Sequence, residues 1–118
     1  MHIDLTVMKT VPVSDRIAAQ ALIDVILTND LTRITINNGD EDMVTGSYRT
    51  GEILDAMASG DEDFVIVHNA KGERLGCFYL VYNNGNEWDP AILISDYTAN
   101  DFCDFVYDRV AEETGSEV

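Results

Sequence analysis

The chain has 118 residues, of which 22 are Asp or Glu and 7 are Lys or Arg, so its formal net charge at pH 7 is −15. Hydrophobic residues make up 46% of the chain, which is ordinary for a folded protein, and the length suffices for one domain with its own core but is too short for a two-domain enzyme. The negative charge disfavours direct binding to nucleic acid or to an anionic membrane surface, and no apolar run approaches the roughly 20 residues that span a bilayer.

The first 30 residues predict a strand followed by a helix. Apolar and polar residues alternate over residues 3–7, which is typical of a half-buried strand. Apolar residues then recur at intervals of three and four over residues 16–28, which predicts an amphipathic helix. Ser14 is the expected N-cap of this helix, and Asp15 lies in the first turn, where the helix dipole favours a carboxylate.

A second strand and a second helix are predicted next. Ile34 and Ile36 share one face of a strand over residues 31–36, while residues 40–48 receive no regular element. A short helix over residues 51–59 follows, with Thr50 as its cap and Gly60 in the left-handed conformation that ends many helices.

The second half of the chain predicts three consecutive strands and a final helix. Turn sequences rich in Asn and Gly separate strands over residues 64–68, 75–82 and 91–95, which indicates an antiparallel meander. The final helix is predicted over residues 99–112, started by a capping arrangement of Thr98 and Asp101.

The element order β-α-β-α-β-β-β-α is typical of an α+β fold. We expect an antiparallel sheet of about five strands, with the helices packed mainly on one face of it. Residues 1–113 are predicted to form a single domain, and residues 114–118 a frayed tail. The chain start lacks the basic and apolar segments of a secretory signal, so a cytoplasmic protein is expected.

The residues that support common chemistries are missing or scattered. Cys77 and Cys103 lie in apolar surroundings, which favours buried free thiols in a reducing compartment over a disulfide. His2 and His68 do not stand at metal-ligand spacing, and no phosphate-binding glycine motif or serine-hydrolase motif occurs. The basic residues are spread singly, so no phosphate cradle is expected. The sequence therefore implies no cofactor, no metal and no enzyme activity.

The strongest functional signal is a stripe of carboxylates on the last helix. Asp101, Asp104, Asp108 and Glu112 recur at intervals of three, four and four, which places them on one narrow face. The stripe rises about 16.5 Å, or about one charge per 5 Å, against one phosphate per roughly 3.4 Å of a DNA strand. This spacing is compatible with mimicry of a phosphate backbone, although a solvated helix face is the common explanation.

Two acidic triplets and a tryptophan extend this set of candidate partner-binding residues. The triplets are predicted to lie in solvated loops, and the tryptophan is placed in a polar loop, where it is either a binding anchor or a lid on the meander. These candidates are Asp40, Glu41, Asp42, Asp61, Glu62 and Trp88, and the second triplet also includes Asp63.

Three functional hypotheses follow, one of which, an enzyme or small-ligand binder, has no constellation of residues behind it. The first is a small acidic interaction protein that binds a basic, nucleic-acid-handling partner protein, as a DNA-mimic or immunity-type inhibitor from a phage or mobile element. The alternative is a non-enzymatic accessory or self-associating domain, such as a homodimer paired through the predicted strand over residues 3–7 at an edge of the sheet, whose acidity serves solubility.

Overall fold

The computed structural model of the protein describes residues 6–29, 31–83 and 93–114. Within these ranges the chain forms three helices and five strands. In chain order they are α1 (Val13–Leu27), β1 (Arg33–Asn37), β2 (Asp42–Ser47), α2 (Thr50–Ala56), β3 (Glu62–His68), β4 (Arg74–Val81), β5 (Ile94–Tyr97) and α3 (Asp101–Thr114).

The five strands form one antiparallel sheet with the order β2-β1-β3-β4-β5. The predicted α+β class is therefore confirmed, and so is the meander that the last three strands form. Strand β2 occupies the stretch to which the sequence pattern assigned no element. Of the strand predicted over residues 3–7, the first three residues lie outside the described part of the chain, and Thr6 and Val7 form a turn.

One face of the sheet carries the core. Along β3 every second residue is buried, and the pairing aligns Val65 with Ile36 on one side and with Phe78 on the other. Leu22 of α1, Ile53 of α2 and Val106 of α3 belong to the same buried cluster. Each such side chain contributes about 1.5–3 kcal/mol when it is removed from water, so this apolar face holds the three helices in place.

The start of α1 differs from the prediction in its cap. Pro12 occupies the N-cap position and no side chain caps the helix, so the prediction of Ser14 as the cap was wrong. Proline suits the start of a helix because its φ is fixed at a compatible value. Its missing amide hydrogen costs nothing there, since that hydrogen would have no partner within the helix. Asp15 does lie in the first turn, but it is buried rather than solvated.

The end of α2 was also predicted wrongly. The helix ends at Ala56, and the left-handed conformation belongs to Ala58, whose φ is +60°, rather than to Gly60. The backbone N–H of Ala58 donates a 2.7 Å hydrogen bond to the buried carboxylate of Asp63. This bond provides a physical reason for an alanine in a conformation that usually selects glycine.

The start of α3 is capped by Asn100, not by the predicted pair Thr98 and Asp101. Asn100 Oδ1 accepts a 2.8 Å hydrogen bond from the N–H of Cys103, and its Nδ2 donates to the carbonyl of Leu75. Thr98 Oγ1 instead accepts from the N–H of Cys77 in β4. The side chains at this corner thus join α3 to β4, which fixes where the helix begins.

Gly76 allows α3 to approach β4 closely. A Cβ atom at this position would lie nearer than 3.0 Å to Sγ of Cys103, a separation that side chains essentially never show. The absence of a side chain therefore lets Cys103 fill the space above the strand. This contact sets the distance between α3 and the sheet.

Candidate functional site

The predicted acidic stripe is exposed along α3. Asp101, Asp104, Asp108 and Glu112 are all exposed, while Cys103, Val106 and Val110 on the other side of the helix are buried. Oε2 of Glu112 lies 2.9 Å from Nη1 of Arg109, and this ion pair partly compensates the charge of Glu112 within the helix. Among the described residues, the stripe therefore presents three carboxylates without such an ion pair and a fourth that is paired.

An exposed aromatic ring accompanies the stripe. The side chain of Phe105 is 63% exposed, more than any other large hydrophobic residue in the described ranges. It lies between Asp104 and Asp108 in sequence and borders a shallow hollow that Val25, Thr28 and Arg109 also line. An apolar ring beside carboxylates is a common arrangement at protein–protein interfaces, where the ring packs against the partner and the charges orient the partner as it approaches.

The stripe is anchored to the sheet through aromatic stacking. Tyr97 of β5 stacks on Tyr107 of α3 with ring centroids 5.1 Å apart, and on Phe78 of β4 at 5.9 Å. Burial of its hydroxyl, and next the negative charge of Asp104 together with a hydrogen bond to it, raise the pKa of Tyr97. Asp104 is thus held against a neutral tyrosine, which restricts the motion of one carboxylate of the stripe.

The two acidic triplets meet at one end of the sheet. Asp40 and Glu41 are exposed in the turn between β1 and β2, and Asp42 is exposed at the start of β2. This turn lies beside the segment that precedes β3, because Asn38 Nδ2 donates a 3.4 Å hydrogen bond to Ser59 Oγ. Asp61 in that segment is also exposed.

The second triplet is not the solvated loop that the sequence pattern predicted. Glu62 and Asp63 belong to β3, whose side chains alternate between the two faces of the sheet. Glu62 is half-buried and accepts a hydrogen bond from the hydroxyl of Tyr79, a bond that raises the pKa of this tyrosine. Asp63 is fully buried, so the prediction of a solvated loop was wrong for two of the three carboxylates.

Asp63 forms part of a buried polar cluster. Its Oδ2 accepts a 2.5 Å hydrogen bond from the hydroxyl of Tyr82, while its Oδ1 has no hydrogen-bond partner among the described residues. Asp15 is buried nearby and accepts a 2.6 Å bond from the N–H of Asn83, the residue after Tyr82. Burial raises the pKa of both carboxyls and of the Tyr82 hydroxyl. The cluster is internal, so it adds nothing to the acidic surface.

The start of the stripe on α3 lies far from the acidic turns, which are the turn between β1 and β2 and the segment that precedes β3. Asn100, just before α3, contacts Leu75 near the start of β4, whereas Asp61 contacts Tyr82 just after its end. The eight residues of β4 separate these points, which corresponds to roughly 25 Å. The start of the stripe and the acidic segment before β3 therefore lie at opposite ends of β4. Trp88 lies outside the described residues.

The cysteines are both free thiols. Cys103 is fully buried, and burial raises the pKa of its thiol, which suppresses the reactive thiolate. Cys77 is half-buried on the sheet face opposite the core, although the sequence pattern predicted a buried side chain. Within the described ranges no group of three or more His, Cys, Asp or Glu side chains is arranged to hold a metal ion.

Sequence reasoning missed a cluster of basic residues. The basic residues are scattered along the sequence, but the antiparallel strands bring Arg33, Arg49, Lys71 and Arg74 to one end of the sheet, together with His68. Only the strand register could have revealed this clustering, because the four residues belong to three different segments of the chain.

Comparisons of the chain with protein-family models, with curated proteins and with solved structures found no match. In the described ranges, no helix combines the length and the apolar character that crossing a membrane requires.

Proposed function

We propose that the protein is a small acidic interaction protein that binds a basic, nucleic-acid-handling partner protein through α3. The observation that carries this proposal is the exposed stripe of Asp101, Asp104, Asp108 and Glu112 next to the exposed ring of Phe105. The proposal includes inhibition of the partner by occupation of its phosphate-binding face, in a reducing, cytoplasmic compartment.

The charge of the stripe supports a basic partner. Like charges at intervals of three and four cost a helix tenths of a kcal/mol per pair, so a sequence selected for stability alone would alternate the signs. Attraction between this stripe and a basic groove accelerates association and makes it sensitive to salt. The net charge of −15 adds a long-range field of the same sign.

The rigidity of α3 supports recognition by a preformed surface. Asn100 caps the helix, Cys103 packs against β4, and Tyr107 is stacked on Tyr97. A partner therefore meets carboxylates on a helix that is already ordered, and the ordering of this backbone does not reduce the affinity.

One of the two edges of the sheet offers little support for the self-associating alternative. Strand β2 is an edge strand, and its pairing with β1 shifts register twice over six residues. Such irregular edges pair poorly with a second copy of a chain. Sedimentation of the purified protein at two salt concentrations separates the hypotheses, since the alternative requires a stable homodimer.

The experiment that tests the proposal compares two variants of equal charge. D104K/D108K reverses two charges of the stripe, and E52K/D55K reverses two exposed charges on α2 as the matched control. The immobilised proteins capture partners from a lysate, a captured basic protein is purified, and its Kd is measured over a salt series. We expect D104K/D108K to bind the partner about tenfold or more weakly than the wild type, and E52K/D55K to bind it with an unchanged Kd. Duplex DNA should compete with the wild-type protein for the partner. Equal Kd values for the two variants would contradict the proposal.

A further inference from the structure

The end of the sheet opposite the acidic turns is basic. Arg33 begins β1, Arg74 begins β4, and both pair with His68 at the end of β3. Arg49 follows β2, and Lys71 lies in the turn between β3 and β4. Four of the seven Lys and Arg residues of this acidic chain are therefore gathered at one end of one sheet.

A hollow of about 280 Å³ lies at this basic end. Arg33 and His68 line it together with the hydroxyl-bearing residues Thr35 and Thr45 and the turn after β3. Among the described residues, those that line the hollow include no Asp or Glu. Glu73, just before β4, is an acidic residue of the same turn, and its carboxylate accepts a 3.0 Å hydrogen bond from the side chain of Asn69.

The guanidinium of Arg33 is held in position before any ligand arrives. Its Cζ lies 4.7 Å from the centre of the Tyr48 ring, and its Nη1 donates a 2.8 Å hydrogen bond to the carbonyl of Thr32. Thr35 Oγ1 accepts from the N–H of Gly46, which fixes the wall between β1 and β2. A cation fixed by an aromatic face and a carbonyl loses little freedom when it binds an anion.

We propose that this hollow binds a small organic anion through a phosphate or carboxylate group. Arg33 and His68 supply donors for the oxyanion, and the threonine hydroxyls supply further hydrogen bonds. The volume lies at the lower limit for small-molecule sites, which favours a compact anion over a dinucleotide. The site is independent of the proposed function, because no residue of α3 lines it.

The test uses NMR of the ¹⁵N-labelled full chain titrated with inorganic phosphate, with acetate, and with NaCl at matched ionic strength. We expect saturable shifts of the amides of Arg33, Thr35 and His68 with a Kd of about 1 mM or tighter. Tighter binding of phosphate indicates a phosphorylated ligand, and tighter binding of acetate a carboxylic acid. Shifts that NaCl reproduces, or that spread over the surface, would overturn the site.

Two substitutions and one control complete the test. Arg33→Gln removes the guanidinium charge and His68→Gln removes the imidazole ring, and we expect about a tenfold or larger loss of affinity for Arg33→Gln and a smaller loss for His68→Gln. Arg109→Gln removes the same charge from α3 and should leave the Kd unchanged. The proposal fails if both lining variants bind like the wild type, or if Arg109→Gln weakens binding as much as Arg33→Gln.

Discussion

Replacing Gly76 with alanine tests the contact that positions α3 on the sheet. The new Cβ would stand nearer than 3.0 Å to Sγ of the fully buried Cys103, so the helix or the strand must give way by about an ångström. Overpacking of this kind costs about 1–3 kcal/mol of unfolding free energy. For a chain of 118 residues this lowers Tm by about 4–12 °C.

The assay is urea unfolding together with calorimetry of Gly76→Ala, Cys103→Ala and the double variant. Cys103→Ala removes the clashing sulfur and costs about 1 kcal/mol by itself. The double variant should be more stable than the sum of the single effects predicts, by about 1 kcal/mol or more. Gly51→Ala is the control, because a Cβ at Gly51 meets nothing within 4 Å.

Two results would refute this reasoning about α3. The first is a Gly76→Ala variant within about 0.5 kcal/mol of the wild type, which would mean that the helix does not approach β4 so closely. The second is a double variant whose loss of stability equals the sum of the losses in the single variants, which would mean that the new side chain does not contact Cys103.

Further predictions concern stability and binding. Because the folded-state pKa values of Asp15 and Asp63 are raised, the stability from their protonation is present at low pH and lost as pH rises through those values. The unfolding free energy should therefore increase as the pH falls through the folded-state pKa values of these carboxyls toward their ordinary value of 3.8, and it should increase less in Asp63→Asn. Thermal melts should show Asn100→Ala to cost about 1 kcal/mol through loss of the α3 cap. Phe105→Ala should weaken partner binding about fivefold or more without changing Tm, whereas the matched variant Leu31→Ala, at 60% exposure, should change neither.

The periodicity of the sequence predicted most of the regular elements. The strands β3 and β4 and the helices α1 and α3 lie within a few residues of their predicted bounds, because burial of one face imposes a period of two on a strand and 3.6 on a helix. The element at β2 escaped prediction. Its edge position leaves most of its side chains exposed, so the pattern of burial that marks a strand is absent.

The helix caps were predicted less well because several residues near each end are suitable. Thr98, Asn100 and Asp101 all carry oxygens that can accept a bond from a free amide. Thr98 bonds instead to Cys77, which leaves Asn100 as the cap of α3. The choice between equivalent side chains thus depends on a neighbouring strand that is 21 residues away in the chain.

The α+β class, the meander and the amphipathic face of the last helix could be predicted from the order of the residues, since each depends on local periodicity and turn residues. The burial of Asp63 beside the exposed Asp61, and the clustering of Arg33, Arg49, Lys71 and Arg74 at one end of the sheet, became visible only in the folded chain. Local periodicity depends on neighbours along one chain. The surroundings of a charge depend instead on the register between strands that are distant in sequence.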